Sequence, residues 1–391
     1  MDEAGTTQAL TTLSPILPER MRELTSRLRV VRYTPGLGRP LLQLGFIHYA
    51  RWIIVEWLPP RTGNGGWHGL RWKYLLFEGN YDGSAGEYFR AFSDILPARL
   101  IGLWGDCVGF ERAALRRHRG GAPSVQPSGF QTFIDSNSLE ILTRFAAFPG
   151  STAIDIRQAV TLNELEAEAS REPRNARSAR AALQRKSEAR ETALGPVSPT
   201  LTVRERFSAL YDPWKQALSG HYGVNPLTVV TPLSGERADA LREASRRRPL
   251  DGLNGTETHF ARLSIIPPWL TDLGQPNPDR LDTAYLLYTS DSWGQPYDHI
   301  ETVRTKLGAT ADLMWGECDG YPGHDERAKA RFHAWVNSHT LKTRYYVAGY
   351  PPRSVAKIHR YLEQRARAAE RYAAERAAAG QLRAGADNDR D

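Results

Sequence analysis

Two histidines and two arginines sit at matched positions in this chain: His48-Tyr49-Ala50-Arg51 recurs as His259-Phe260-Ala261-Arg262. A histidine that titrates near neutral pH can act as a proton acceptor or a metal ligand, and a guanidinium can steady a developing negative charge. A carboxylate, Asp82, lies downstream within Gly79-Asn80-Tyr81-Asp82-Gly83. Strand alternation puts each histidine and alanine on one face and the arginine on the other, so the pair cannot serve one ligand directly. The competing reading is structural, because a hydrogen-bonded core histidine explains a duplicated position more simply than two active sites do.

The match extends beyond this stretch. Tyr74-Leu75-Leu76-Phe77 and Trp104-Gly105-Asp106-Cys107-Val108-Gly109-Phe110 recur as Tyr285-Leu286-Leu287-Tyr288 and Trp315-Gly316-Glu317-Cys318-Asp319-Gly320-Tyr321, all at the same offset of 211 residues. One register for three matches indicates a duplicated unit. Each copy reads strand, helix, strand, strand, helix, strand, the ferredoxin-like βαββαβ order. In the first copy the strands are Thr11–Pro15, His48–Trp57, Trp72–Phe77 and Leu100–Trp104, and the helices start near Glu19 and Glu87. A further helix and strand follow in each copy, ending at Pro149 and Pro351, where the offset falls to 202. The glycines of Gly63-Asn64-Gly65-Gly66 supply the positive φ angles of a hairpin turn.

The expected fold class is α+β: two tandem ferredoxin-like repeats with antiparallel sheets, pairing as an intramolecular α+β barrel, plus a charged helical linker and a C-terminal helix. The expected boundaries are 1–160 for the first repeat, 161–224 for the linker, with an amphipathic helix over Val203–Leu218, and 225–365 for the second repeat. Residues 366–391 form a helical tail, disordered beyond about Gly380.

Composition narrows the function classes. The 391 residues are 41% hydrophobic and 24% charged, and no apolar run reaches membrane-spanning length. The +7 formal charge comes from arginine and glutamate intermixed along the charged segments, which disfavours nucleic acid despite Arg116-Arg117-His118-Arg119 and Arg246-Arg247-Arg248. Acidic residues beside Met1 and the lack of an apolar run after them make the cytoplasm the expected address. Cys107 and Cys318, at equivalent places, read as reduced core thiols. P-loop, G-x-G-x-x-G, H-E-x-x-H and G-x-S-x-G motifs are missing, so nucleotide hydrolysis, Rossmann hydride transfer and serine esterase chemistry lose support.

Two ferredoxin-like units in one chain resemble the dimeric α+β barrel superfamily, which includes chlorite dismutases, dye-decolourising peroxidases and antibiotic-biosynthesis monooxygenases. Residues 79–83 also fit the G-x-x-D-G distal loop of the dye-decolourising peroxidases. That family expects a proximal histidine downstream of the aspartate, and here the next one is His118, in a basic loop. The resemblance implies a peroxidase-like or monooxygenase-like oxidoreductase with haem or an aromatic substrate in an apolar pocket. Its catalytic set would be His48, Asp82 and Arg51, and its cofactor-binding set His259, Arg262, Trp52 and Tyr74; the metal is unknown. The alternative is a non-catalytic tandem module that binds a small molecule or a protein partner. Oligomerisation is open in either case.

Overall fold

The computed structural model describes residues 7–33, 44–60, 68–169, 223–270 and 275–388. The glycine-rich turn at 63–66 and the helix expected over Val203–Leu218 lie outside these residues. The chain divides into two compact units, one of residues 1–152 with 217–355 and the other of 153–216 with 356–391.

The first half supplies β1 (Thr7–Ile16), α1 (Met21–Tyr33), β2 (Ile47–Leu58), β3 (His68–Asp82), α2 (Ala85–Ile95), α3 (Pro97–Trp104) and α4 (Phe110–Ala114). A small hairpin of β4 (Leu115–Arg116) and β5 (Ser124–Val125), then α5 (Pro127–Ser136) and β6 (Glu140–Ala146), complete it. The second half repeats the plan with β7 (Val224–Leu233), α7 (Gly235–Ser245), β8 (Thr258–Ile266), β9 (Ala284–Trp293), α8 (Pro296–Thr302), α9 (Ala309–Trp315), α10 (Lys329–Ser338) and β10 (Thr343–Ala348). In the second unit, α6 (Ala153–Ala169) and α11 (Val355–Asn388) pack Leu162 against Ala368, and Arg365 reaches Asp155 and Gln158. The C-terminal stretch is thus helical through Asn388, where disorder was expected beyond Gly380.

The strand expected at Leu100–Trp104 is helix α3, and its counterpart in the second half is helix α9. Pro97 opens α3 at a position where a missing N–H costs nothing, and Leu100, Leu103 and Trp104 bury at helical spacing. An apolar run this short carries too little periodicity to separate helix from strand. The fourth strand of each repeat is instead the last one, and it is exchanged. β10 pairs with β2 of the first repeat, giving a sheet of order β1-β3-β2-β10, and β6 pairs with β8 of the second, giving β6-β8-β9-β7.

The entrance of each exchanged strand also bonds to the edge of its own sheet. Leu13 N donates to Asn137 O and Leu139 N to Thr11 O; Val230 N donates to His339 O and Leu341 N to Thr228 O. These links join the sheets into a closed ring, β1-β3-β2-β10-β7-β9-β8-β6, with antiparallel neighbours throughout. Eight strands enclose a space that side chains can fill. Each sheet turns its outer face to its own helices, and each outer core includes residues of the visiting strand: Tyr345 and Val347 in the first, Phe145 in the second. One end of the barrel interior is an apolar cluster including Ile53, Trp72, Leu76, Leu270 and Leu287.

The exchange requires a close approach at Gly349, whose N–H donates to His48 O at 2.7 Å. A Cβ there would stand 1.6 Å from Ile47 O. The matching bond in the other repeat, Ala147 N to His259 O at 2.8 Å, is made by an alanine. We therefore expect Gly349→Ala to cost about 1–3 kcal/mol through forced displacement of β10, and Ala147→Gly to cost no more than about 1 kcal/mol. Urea unfolding followed by circular dichroism compares the two.

Candidate functional site

β2 does not alternate strictly. Ile47 pairs with Tyr81 and Tyr49 with Asn80, so His48 is the extra residue of a β-bulge. The same shift between Thr258 and Phe260 makes His259 the extra residue of β8. Bulges re-aim side chains, and these two overturn the expectation from simple alternation. Beyond the first bulge, Tyr49, Arg51, Ile53 and Val55 face the barrel, while Ala50, Trp52 and Ile54 face the helices. His48 also reaches the junction of the sheets, with its ring 5.1 Å from that of Phe260.

Arg51 and Arg262 are interlocked across the barrel. Arg51 donates to Leu227 O, Thr228 Oγ1, Ser290 O and Asp291 Oδ1 of the opposite sheet, at 2.5–3.1 Å. Arg262 donates to Leu10 O, Thr11 Oγ1, Gly79 O and Asn80 Oδ1, the equivalent atoms of the first repeat. Glu78 lies between them, accepting from Thr11 and Thr289 and standing 3.5 Å from Arg51 Nε. Burial works against the Arg51 charge, but Asp291 and Glu78 outweigh it and hold its pKa above the ordinary value. The Arg262 pKa is lowered, chiefly by burial, and its side-chain partner Asn80 is neutral. These bonds make Arg51 and Arg262 ties between sheets, which differs from the catalytic and cofactor-binding roles expected for them.

At the bulges, the polar groups join in a chain whose direction can be worked out. His48 Nε2 lies 2.8 Å from Asp82 Oδ1, and Nδ1 lies 3.3 Å from the Tyr350 hydroxyl. Tyr350 and Tyr49 share a hydrogen bond, and the Tyr49 hydroxyl is 2.7 Å from His259 Nδ1. An ionised carboxylate only accepts, so His48 donates from Nε2 and its Nδ1 accepts from Tyr350 O–H. Tyr350, having spent its hydrogen, accepts from Tyr49, and Tyr49 accepts from His259 Nδ1–H. Every donor in the sequence His259, Tyr49, Tyr350, His48 points toward Asp82. Burial is the main cause that raises the Tyr49 and Tyr350 pKa values, so both hydroxyls keep their protons. Tyr346 stacks on Tyr49 and donates to Asp291 at 3.0 Å, linking this chain to the arginine layer.

Asp82 is held from both sides. It is the last residue of β3, Gly83 turns the backbone at φ +86°, and Ser84 caps α2 in a capping box with Glu87. Residues 80–82 are therefore strand, and the G-x-x-D-G match is a strand end plus a helix cap. His118 bonds Ser124 in the exposed β4–β5 hairpin, away from this aspartate's partners.

The structure brings His48 and Asp82 together. Trp52 faces the helix-side core, and Tyr74 sits in the apolar end of the barrel with its hydroxyl bonded to Asp279 at 2.9 Å. Tyr49, Tyr346, Tyr350, Glu78 and Asp291 were missed as site residues. The signal was there in Glu78 and Asp291, charged residues inside otherwise apolar strands, and in tyrosines occupying the matched motifs. The two histidines do not fit an axial haem ligand: both ring nitrogens of His48 hold bonds, and the His259 ring is wedged against Tyr49 and Phe148. Among the described residues no three His, Cys, Asp or Glu side chains gather as metal ligands. Burial raises both thiols, Cys318 to about 11, in keeping with reduced core residues. An open cleft of about 200 Å³ beside Ser234, Arg237 and Glu317 includes none of the expected site residues.

No family model matches the chain, and no curated protein matches it. Among solved structures, one titled as a crystal structure study of an anthrone oxidase-like protein is similar at 9% identity and a TM-score of 0.21, over 89% of this chain and 95% of that one. A likeness of that degree supports no inference about activity.

Two outcomes follow from the buried groups. Arg51→Met strands Asp291 and Glu78 and should cost about 3–5 kcal/mol, with much of the loss recovered in Arg51→Met/Asp291→Leu; denaturant titration reads both. His299, bonded to Ser290 at 2.7 Å, has its pKa lowered to about 3 by burial and then by Arg51. The unfolded chain takes up that proton near pH 6.5 while the folded chain stays neutral, so stability is lost as pH falls from about 6.5 toward 3. His299→Gln should flatten the stability–pH curve in this window by up to about 1.4 kcal/mol per pH unit.

Proposed function

We propose that the protein is a haem-independent oxidoreductase acting on a small aromatic substrate, with proton movement along the chain from His259 to Asp82 as the chemistry its own residues supply. The observation that carries this reading is asymmetry. The arginine ties, the bulged histidines and the flanking aromatics occur in both repeats, but the carboxylate occurs once: Trp293 occupies the position matching Asp82. A group needed only for folding would be expected in both copies. Asp82 is also the least buried member of the chain, its side chain 9% exposed against 0% for His48, which suits the end that exchanges protons with solvent. His48, oriented by Asp82, is the base in this scheme, and Tyr350 relays to it.

A second reading is favoured by a different observation. The expected catalytic His48 and Arg51 are both buried and bonded within the barrel, as a binding module's scaffold would require. Oxygen consumption with a panel of soluble hydroxyaromatic compounds separates the two. Under the oxidoreductase reading at least one compound is turned over, and Asp82→Asn and Tyr350→Phe each lower kcat by about 10²–10⁴-fold with little change in KM. No turnover across the panel leaves the binding module, and turnover unaffected by both substitutions overturns the proton chain as the source of the chemistry. Reconstitution with haem should give no Soret band in either case.

A further inference from the structure

On the helix side of the second sheet a cleft of about 200 Å³ opens among Ser234, Arg237, Thr283, Met314, Glu317 and Cys318, and no member of the proton chain lines it. Its volume is below the roughly 300–1,000 Å³ of pockets for drug-sized ligands, which leaves room for a small molecule. The thiol and the hydroxyl of its wall are already satisfied: Cys318 donates to Pro232 O at 3.4 Å and Thr283 Oγ1 to Leu233 O at 2.7 Å. The charged pair beside them has bonding capacity to spare. Glu317 accepts from Ser234 Oγ at 2.7 Å and stands 3.1 Å from Arg237 Nη2, one contact per carboxylate oxygen, with its side chain 49% exposed. A carboxylate oxygen takes two bonds and a guanidinium has five N–H donors, and Arg237 Nε is shielded from water without a partner. The Ser234 hydroxyl, and after it Arg237, hold the Glu317 carboxyl below its ordinary value, so the acid stays ionised.

The first repeat treats the same corner differently. An offset of 217 residues carries Leu17, Arg20 and Arg27 onto Ser234, Arg237 and Ala244, and Asp106-Cys107 corresponds to Glu317-Cys318. There Arg27 of α1 reaches the shorter Asp106, whose side chain is only 11% exposed, while Arg20 pairs with Glu23 in solvent. In the second repeat Ala244 makes no such contact, and the longer Glu317 meets Arg237 beside the cleft instead. Leu17, Asp106 and Arg27 thus give a covered ion pair, whereas Ser234, Glu317 and Ala244 give an exposed one next to a cavity. Since the first copy folds without the open form, the fold itself does not demand it.

We propose that this cleft binds a small zwitterion of the amino-acid type, its carboxylate on the Arg237 guanidinium, its ammonium on Glu317, and its carbon chain against Met314 and Cys318. A neutral ligand then meets a neutral pair, so no net charge enters the cleft and each ligand charge finds an opposite one. The site goes beyond the proton chain and does not depend on it, since binding is read without turnover.

Isothermal titration of the full chain with L-alanine tests it, alongside propionate, the matched probe lacking the ammonium, and ethylamine, the one lacking the carboxylate. The expected result is saturable 1:1 binding of L-alanine, with each single-charge probe at least about 10-fold weaker. Arg237→Gln and Glu317→Gln should each weaken L-alanine about 10–100-fold, the loss of one charge-assisted contact. Arg20→Gln, at the counterpart position of the first repeat, should leave the affinity unchanged. Thermal melts establish that each variant is folded, and the comparison of the three probes on the unsubstituted chain tests the proposal without any variant. Absence of saturable L-alanine binding, single-charge probes that bind as tightly, or affinity that either folded cleft variant leaves undiminished, overturns it. Loss of turnover in Asp82→Asn with L-alanine binding intact would separate the proton chain from this site.

Discussion

Two arginines reaching in opposite directions across the barrel axis hold the two halves of this molecule in one register. Each leaves its own sheet and ends on carbonyls and a side-chain oxygen near the edge of the other. Burying a guanidinium is costly unless nearly all its donors find acceptors, so the arrangement tolerates only one alignment of the sheets. The buried layer also balances its charge, with Arg51 and Arg262 opposite Glu78 and Asp291. Sliding one repeat by a single residue would break the ties on both sides at once.

Much of this was legible in the residues. The doubled His-aromatic-Ala-Arg stretch marked the central strands, and the shared offset predicted two equivalent sheets closing on each other. The exchange of β6 and β10 was not legible, because a strand's own pattern says which face is apolar but not which neighbour it joins. The helix at Leu100–Trp104 was mistaken for the fourth strand for a related reason, since five residues cannot show a period. The bulges were hidden too: His48 and His259 gain their place near the barrel junction from one unpaired residue, and no composition cue distinguishes that residue from its neighbours. His48 and Asp82 were each singled out by residue type but not as a pair, and the extension through Tyr350 depends on a contact between residues about 300 positions apart.

Comparison of the two repeats sorts architecture from chemistry. Positions that match, such as Arg51 with Arg262 or Thr11 with Thr228, carry the ties between sheets. Positions that differ include Asp82 against Trp293, Trp52 against Leu263 and Tyr345 against Thr143, and also members of the arginine layer, Glu78 against Thr289 and Asn80 against Asp291. The differences cluster on the first sheet and on the strand that the second repeat lends to it. Through β10 the second repeat supplies a strand and its side chains to the first sheet as well as repeating its plan.

The exchanged strands also bear on how the chain is made. β2 has no partner on its outer side until β10 emerges roughly 290 residues later, which at ~5–20 residues per second is tens of seconds of synthesis. Throughout that interval the first repeat presents an open strand edge, the template on which chains pair with one another. Arg51 stands just inside that edge, and an unpaired guanidinium makes the exposed face poorly suited to dry association with another copy. The residue that locks the finished barrel would thus serve, before the barrel exists, as its own nascent chain's guard against aggregation.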